Sequence, residues 1–310
     1  MNAPQLSTAL TSFAAEDPGD WEPMLQQAQA LDEAGFDRLV VSDHVVFGER
    51  LEEYARPEIG GQAGGKQPTG PDGHWLEPLT TLAVIAGRTS RIRLGTNILI
   101  AALRRPAVMA KSAATLDVLS GGRLDLGVGV GWQREEYEAA GLPFEGRGRL
   151  LDETLRVCRT LWTETTAAYD SPGLSFERIH MMPKPRQPGG VPIWVSGTVN
   201  GMVARRLAEF GSGWIPWGEA AADPVSGIRR MGELLSGLGR DIGDVQVVGT
   251  LPVKKSADGG FDLPATMARV PEMRQAGISD FRVWLRVPTD RSQAVDQLTP
   301  LVEAFRDAST

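Results

Sequence analysis

Apolar and polar positions along this chain repeat in one order: a short run of branched apolar residues, a longer stretch with helical spacing, then another short run. RIRLGTNILI (91–100) is rich in branched residues with one glycine, which predicts a strand. Pro106 suits the first turn of a helix, where its missing N–H costs nothing, and alanines, Met109 and Leu116 fill the turns after it. Gly121-Gly122 stops that helix. RLDLGVGVGW (123–132) begins a second strand that runs out into glycines. Strand, helix, strand at this spacing is a parallel, right-handed βαβ unit. Glycines at the carboxyl end of such a strand let a ligand approach the backbone, so a cofactor is expected at this edge.

The same alternation runs through the chain. Residues 6–13 predict a short strand, and 21–34 a helix capped by Asp20, striped by Leu25, Ala28, Leu31 and Ala34, and ended by Gly35. DRLVVSDH (37–44) is the second strand and 75–88 the second helix. Helices at 149–162, 200–210, 223–238, 264–276 and 290–305 interleave with VPIWVSG (191–197), GWIPW (213–217), DVQVVGTLPV (244–253) and DFRVWLRV (280–287). Eight strands, each followed by a helix, predict a single α/β domain over 1–310, closed as a (β/α)8 TIM barrel. An open doubly wound sheet would carry a G-x-G-x-x-G turn after its first strand, and none is present.

Two insertions interrupt the pattern, one after strand two and one after strand four. Residues 46–74 are rich in Gly and Pro, too polar for a core and too long for a simple connection, and read as an active-site lid. Residues 163–190 end in PKPRQPGG, which predicts irregular structure. The net charge of -7, without a Lys/Arg-rich run, argues against nucleic acid as a partner. The single cysteine, Cys158, excludes an internal disulfide and reads as a core residue. Its redox preference, with no secretion signal and no apolar run long enough for a membrane span, predicts a cytoplasmic protein. Three histidines and one cysteine leave no motif for a metal site.

In a barrel, function gathers at the carboxyl ends of the strands. The second strand ends in Asp43 and His44, the third in Asn97 and Ile98, the fourth in Gly129, Gly131 and Trp132. The fifth ends in Ser196, Gly197 and Thr198, the sixth near Trp217, the seventh before Lys254 and Lys255, and the eighth at Arg286. His44 is the only histidine at a strand end, which makes it the proton-transfer candidate. Asp43 can orient it, bind a ligand N–H or cap the next turn. Ser-Gly-Thr before a helix suits a phosphate. Arg286, Lys254 and Lys255 can receive an anionic group of substrate or cofactor.

These residues sit in segments that resemble the luciferase-like monooxygenase superfamily, in particular its coenzyme F420-dependent branch. The segments are EAGFDRLVVSDHVVF (33–47), WLEPLTTLAVIAGRTSRIRLGTNILI (75–100), the long block from RRPAVMAKSA to GRGRLLDE (104–153) and PIWVSGTVNGMVARRLAEFGSGW (192–214). The resemblance implies a TIM barrel holding an isoalloxazine-like ring at its carboxyl face. It implies a non-proline cis peptide, here Asn97–Ile98, backing the ring. Asp43 would meet the polar edge of the ring and His44 its reactive carbon. Gly129 and Gly131 would border the ring, and Ser196, Gly197 and Thr198 would hold the phosphate. Deazaflavin sugar-phosphate dehydrogenases carry a glutamate just after the strand-four glycines, where this chain has Trp132. Sugar-phosphate dehydrogenation and a His/Glu pair are therefore not expected. Trp132 would instead stack on the ring or, with Trp75 and Trp217, wall an apolar substrate pocket.

The leading expectation is F420-dependent hydride transfer to or from a small organic substrate. The alternative is an FMN-dependent two-component monooxygenase using O2 and reduced FMN from a separate reductase; a separate flavin or F420 reductase is the expected partner of whichever cofactor binds. A non-catalytic ligand-binding relative is the third reading. The resemblance also implies a homodimer, formed through helices near strands two to four.

Overall fold

The computed structural model describes residues 3–257 and 259–309; residues 1, 2, 258 and 310 of the expected single domain lie outside the described residues. Eight parallel strands close into a barrel. In chain order they are β1 (Gln5–Ala9), β2 (Arg38–Val41), β3 (Arg93–Thr96), β4 (Leu124–Val128), β5 (Ile193–Gly197), β6 (Gly211–Pro216), β7 (Gln246–Thr250) and β8 (Asp280–Val283), with β8 pairing back onto β1. Around them lie α1 (Glu22–Ala34), α2 (Pro78–Arg88), α3 (Pro106–Leu119), α4 (Arg147–Thr163), α5 (Gly201–Phe210), α6 (Pro224–Ser236) and α7 (Arg291–Ala308), with shorter helices between. The expected (β/α)8 architecture is the observed one. No helix among the described residues is long and apolar enough to cross a membrane.

The apolar core lies between barrel and helices. Leu31, Leu82, Ile85, Leu155, Leu207, Leu235 and Phe305 are all buried there, each contributing about 1.5–3 kcal/mol by leaving water. Cys158 belongs to this layer, and burial pushes its thiol up to about 12.

The lumen of the barrel is different. Arg38 donates through Nε to Asp125 at 2.9 Å and also pairs with Asp280. Arg93 takes Asp125 from the other side, at 2.7 Å and 2.6 Å. Ser7 donates its hydroxyl to Asp280, and Nε of Arg282 donates to Ser7 Oγ at 3.2 Å. Arg38 also lies 4.2 Å from the centre of the Trp194 ring. Burial works against the Arg38 charge, but the two carboxylates outweigh it and raise the guanidinium above its ordinary value. Strands one, two, three, four and eight are thus tied together by side chains inside the barrel as well as by backbone.

Beyond small shifts of element ends, local structure departs from the sequence-based expectation in three places. The second helix begins at Pro78, not at 75, because Pro78 occupies its first turn and the Glu77 carboxylate accepts the Thr80 N–H at 2.7 Å. Trp75 instead pairs with Phe13 in a two-residue ribbon and stacks on its ring at 4.2 Å. The insertion 163–190 contains an antiparallel hairpin, Ala167–Ser171 with Leu174–Ile179, before its proline-rich end. Residues 264–276 split into Leu263–Met267 and Val270–Gln275, since Pro271 lacks the N–H that a continuous helix requires.

Two outcomes follow for stability. Arg38→Met leaves buried Asp280 with only the more distant Arg282 and the Ser7 hydroxyl, and should cost about 3–5 kcal/mol in denaturant unfolding. Cys158 should resist a thiol reagent in the folded protein and react fully once it is unfolded.

Candidate active site

The carboxyl ends of the strands open into one cavity of about 1550 Å³. A single small ligand usually occupies roughly 300–1,000 Å³, so this space has room for a cofactor and a substrate together. Asp43, His44, Trp75, Asn97, Ile98, Gly129, Gly131, Trp132, Ser196, Gly197, Thr198 and Trp217 all line it. Arg286, Lys254 and Lys255 do not; all three are exposed. Strand eight stops at Val283, so the alternation that would carry residue 286 to the inner face does not continue that far. Arg282 and Trp284 line the cavity in its place.

Strand three ends in a bulge. The Asn97 N–H donates to Val41 O at 2.7 Å on one side, and the Leu99 N–H to Gly127 O at 2.7 Å on the other. Between them the Asn97–Ile98 peptide is cis, as the family resemblance implies. Ile98 rests on Trp194, Ile215 and Val248 of the upper barrel interior. A Cβ on Gly129 would come within 2.9 Å of the Ile98 side chain, and one on Gly131 within 3.1 Å of Ile100. Glycine at these two positions therefore makes room for the bulge itself.

Asp43 and His44 have separate partners. The Asp43 carboxylate accepts the Ile100 N–H at 2.8 Å and both Arg104 amino groups, at 2.6 Å and 3.0 Å. It is a buried clamp on the bulge. His44 faces the other way, with Nδ1 3.3 Å from Oε1 of Glu136. The same oxygen accepts the Val45 N–H at 2.8 Å. The Glu136 side chain is fully buried, and its other oxygen has no hydrogen-bond partner among the described residues. A His/Glu pair is thus present after all, contributed by Glu136 and not by the position that Trp132 fills. With Nδ1 held by a carboxylate, Nε2 is the ring nitrogen left for a ligand.

Aromatic rings pack around His44: Phe47 at 4.4 Å, Trp75 edge-on at 4.8 Å and Trp132 at 6.2 Å between centres. Tyr54 packs on Trp132 at 5.4 Å, and burial raises its phenol above the ordinary value. Tyr54, Pro57, Gly60, Gln62, Gln67 and Pro68 of the segment 46–74 line the cavity. This segment is tied down by Trp217 Nε1 to Gly61 O at 3.0 Å, by Arg147 to Ile59 O at 2.8 Å and by Trp75 Nε1 to Thr69 Oγ1 at 2.9 Å.

The cavity lining also includes a basic arm of Arg147, Arg149, Arg156, Arg205 and Arg206, with Asp152 and Glu209 among them. Glu209 pairs with Arg156 at 2.8 Å and Asp152 with Arg206 at 2.6 Å. Arg149 and Arg205 are exposed and carry no ion pair among the described residues. At the start of α5, Asn200 already accepts the Met202 and Val203 N–H groups, so the helix end offers a ligand less than the Ser-Gly-Thr pattern implied.

The description of the luciferase-like monooxygenase family matches residues 5–257. This chain belongs to that family. Among its relatives, an uncharacterized protein of Mycobacterium tuberculosis is 38% identical over 140 residues, which span 45% of this chain and 49% of the relative. The chain thus matches about half the length of that relative. An F420-dependent glucose-6-phosphate dehydrogenase of Kineococcus radiotolerans is 34% identical over 193 residues, covering 60% of this chain and 56% of the relative. Two solved structures share the fold over nearly the whole chain. One is an F420-dependent secondary alcohol dehydrogenase (TM-score 0.73, 17% identity, 99% of this chain and 100% of the other). The other is a long-chain alkane monooxygenase (TM-score 0.73, 14% identity, 98% and 92%).

Within this luciferase-like barrel, Glu136 is the residue whose loss should be felt at His44. Glu136→Ala orphans the Val45 N–H and frees the imidazole. It should cost about 1–3 kcal/mol in thermal or denaturant unfolding.

Proposed function

We propose that this luciferase-like protein is an oxidoreductase that takes coenzyme F420 and transfers a hydride to or from a small organic substrate. The observation that carries the reading is the set of five arginines that share the cavity lining with the proposed ring-binding residues, on a chain whose net charge is -7. FMN brings one phosphate to such an arm. F420 brings a phosphodiester followed by a chain of glutamate carboxylates, which matches several guanidiniums at once. The F420-dependent dehydrogenase relatives support the same choice.

The residues fit a ring cofactor. Ile98 and its cis peptide would back the ring, Trp132 would border it, and Ser196, Gly197, Thr198 and the arm would hold the tail. A bound deazaflavin would give up or take the hydride at its C5. The protein's part is to hold substrate beside the ring, keep water out with the segment 46–74 and move a proton at His44 Nε2. Asp43 acts on the bulge through Ile100 and Arg104, and Trp75 and Trp217 wall the substrate side. A homodimer, a cytoplasmic location and a separate reductase complete this proposal.

FMN-dependent oxygenation is the second reading. The aromatic rings of Phe47, Trp75 and Trp132 about His44, with Tyr54 packed on Trp132, favour it, because oxygenation needs a site closed to water.

Titration of the purified protein with oxidised F420 and with FMN, followed by fluorescence, decides between them. The expected result is saturable F420 binding that weakens with salt, and markedly weaker FMN binding. Tight FMN binding with O2 consumption on reduced FMN would replace the first reading by the second. His44→Ala should leave F420 binding intact and lower turnover roughly 10²–10⁴-fold.

A further inference from the structure

The lumen network does not balance its charges. Arg38, Arg93 and Arg282 face Asp125 and Asp280. Asp125 is held by Arg38 and Arg93, and Asp280 by Arg38 and the Ser7 hydroxyl. Arg282 is left at the margin. It reaches Asp280 only at 3.7 Å and, among the described residues, makes one hydrogen bond, from Nε to Ser7 at 3.2 Å. Its side chain is 3% exposed, and the surface it retains lines the cavity beside Val248, Thr250 and Trp284. Burial, with Arg38 nearby, depresses its affinity for the proton despite Asp280. A buried cation without a full partner is costly unless something completes it. The four terminal N–H bonds of the guanidinium are free of hydrogen-bond partners among the described residues and suit a two-oxygen anion.

We propose that Arg282 receives a carboxylate, or a similarly planar anionic group, of the substrate, at the floor of the cavity. This names the substrate class of the site proposed above and rests on that reading. It also places the anion receptor on strand eight itself and not at exposed Arg286. Small acids, and products in which such a group is retained beside the reacting carbon, are the class that fits.

The test uses two matched pairs of probes, acetate with acetamide and benzoate with benzamide, titrated into the purified protein by tryptophan fluorescence and by thermal shift. The wild type should bind each acid at least about tenfold more tightly than its amide. Arg282→Met should abolish that preference, and Arg282→Lys should keep part of it. Because Arg38 and Arg93 then match Asp125 and Asp280, Arg282→Met should melt no lower than the wild type. The double variant Arg149→Ala/Arg205→Ala should keep the preference, which separates Arg282 from the basic arm.

Equal binding of acids and amides by the wild type would overturn the proposal. So would a preference that survives Arg282→Met or disappears in the double variant. A melting temperature for Arg282→Met more than about 4 °C below wild type would make Arg282 the structural partner of Asp280, and the surplus-charge argument would fail. Weaker binding of reduced F420 to Arg282→Met, with acid binding untouched, would assign the charge to the ring and remove it from the substrate. The probes need no cofactor, so their result is independent of whether F420 binds.

Discussion

Arg38 is the side chain on which the barrel turns. From β2 it reaches Asp125 on β4 and Asp280 on β8, both buried, with Trp194 against its face. A lumen filled by branched apolar residues would close the barrel at lower electrostatic cost. A lumen filled by ions closes it only in one register, because each oxygen and N–H must find its partner. A one-residue slip of β8 against β1 would turn Asp280 and Arg282 out of the lumen and leave Arg38 half-matched. The charge cluster therefore acts on register as much as on stability, and register determines which residues reach the carboxyl ends.

At those ends the strand-two pair reads as a dyad but works as two clamps. Both residues lie just past the end of β2, where the chain turns them to different partners. Asp43 turns to the strand-three bulge through Ile100 and Arg104. His44 turns to the segment after strand four through Glu136. One strand end thus fixes the two neighbouring loops, and the imidazole is held from behind by a group outside the cavity lining. The bulge gains a third support from below, where Ile98 packs against the cluster of Ile215, Val248 and Trp194, the indole that faces Arg38. Lumen and site are continuous through that indole.

The barrel was legible because alternation of short apolar runs with helical stretches is a long-range pattern, and eight repeats leave few architectures. The bulge at Asn97–Ile98 was legible only through family resemblance, since nothing in the composition of that segment specifies a cis bond. The lumen was not legible. Arg93, Asp125 and Arg282 interrupt apolar runs and Arg38 and Asp280 open them, and a charge in a strand ordinarily marks an outward face. Glu136 was hidden for a related reason: REEYE reads as a solvated helical turn, and its partner His44 lies 92 residues away. The structure makes that glutamate one of the most buried acids in the chain.

Arg282 and Arg286 show what separates the two levels of reading. Residues 282, 284 and 286 share a parity, so an unbroken strand would turn all three inward. The observed strand ends at Val283; Arg282 stays in the lumen, Trp284 borders the cavity, and Arg286 leaves for solvent. The chemistry expected of a strand-eight arginine therefore moves four residues down the strand and changes in kind. At 286 a guanidinium would be one of several solvated cations. At 282 it is a buried charge with an incomplete set of partners, where the same attraction to an anion is less screened by water.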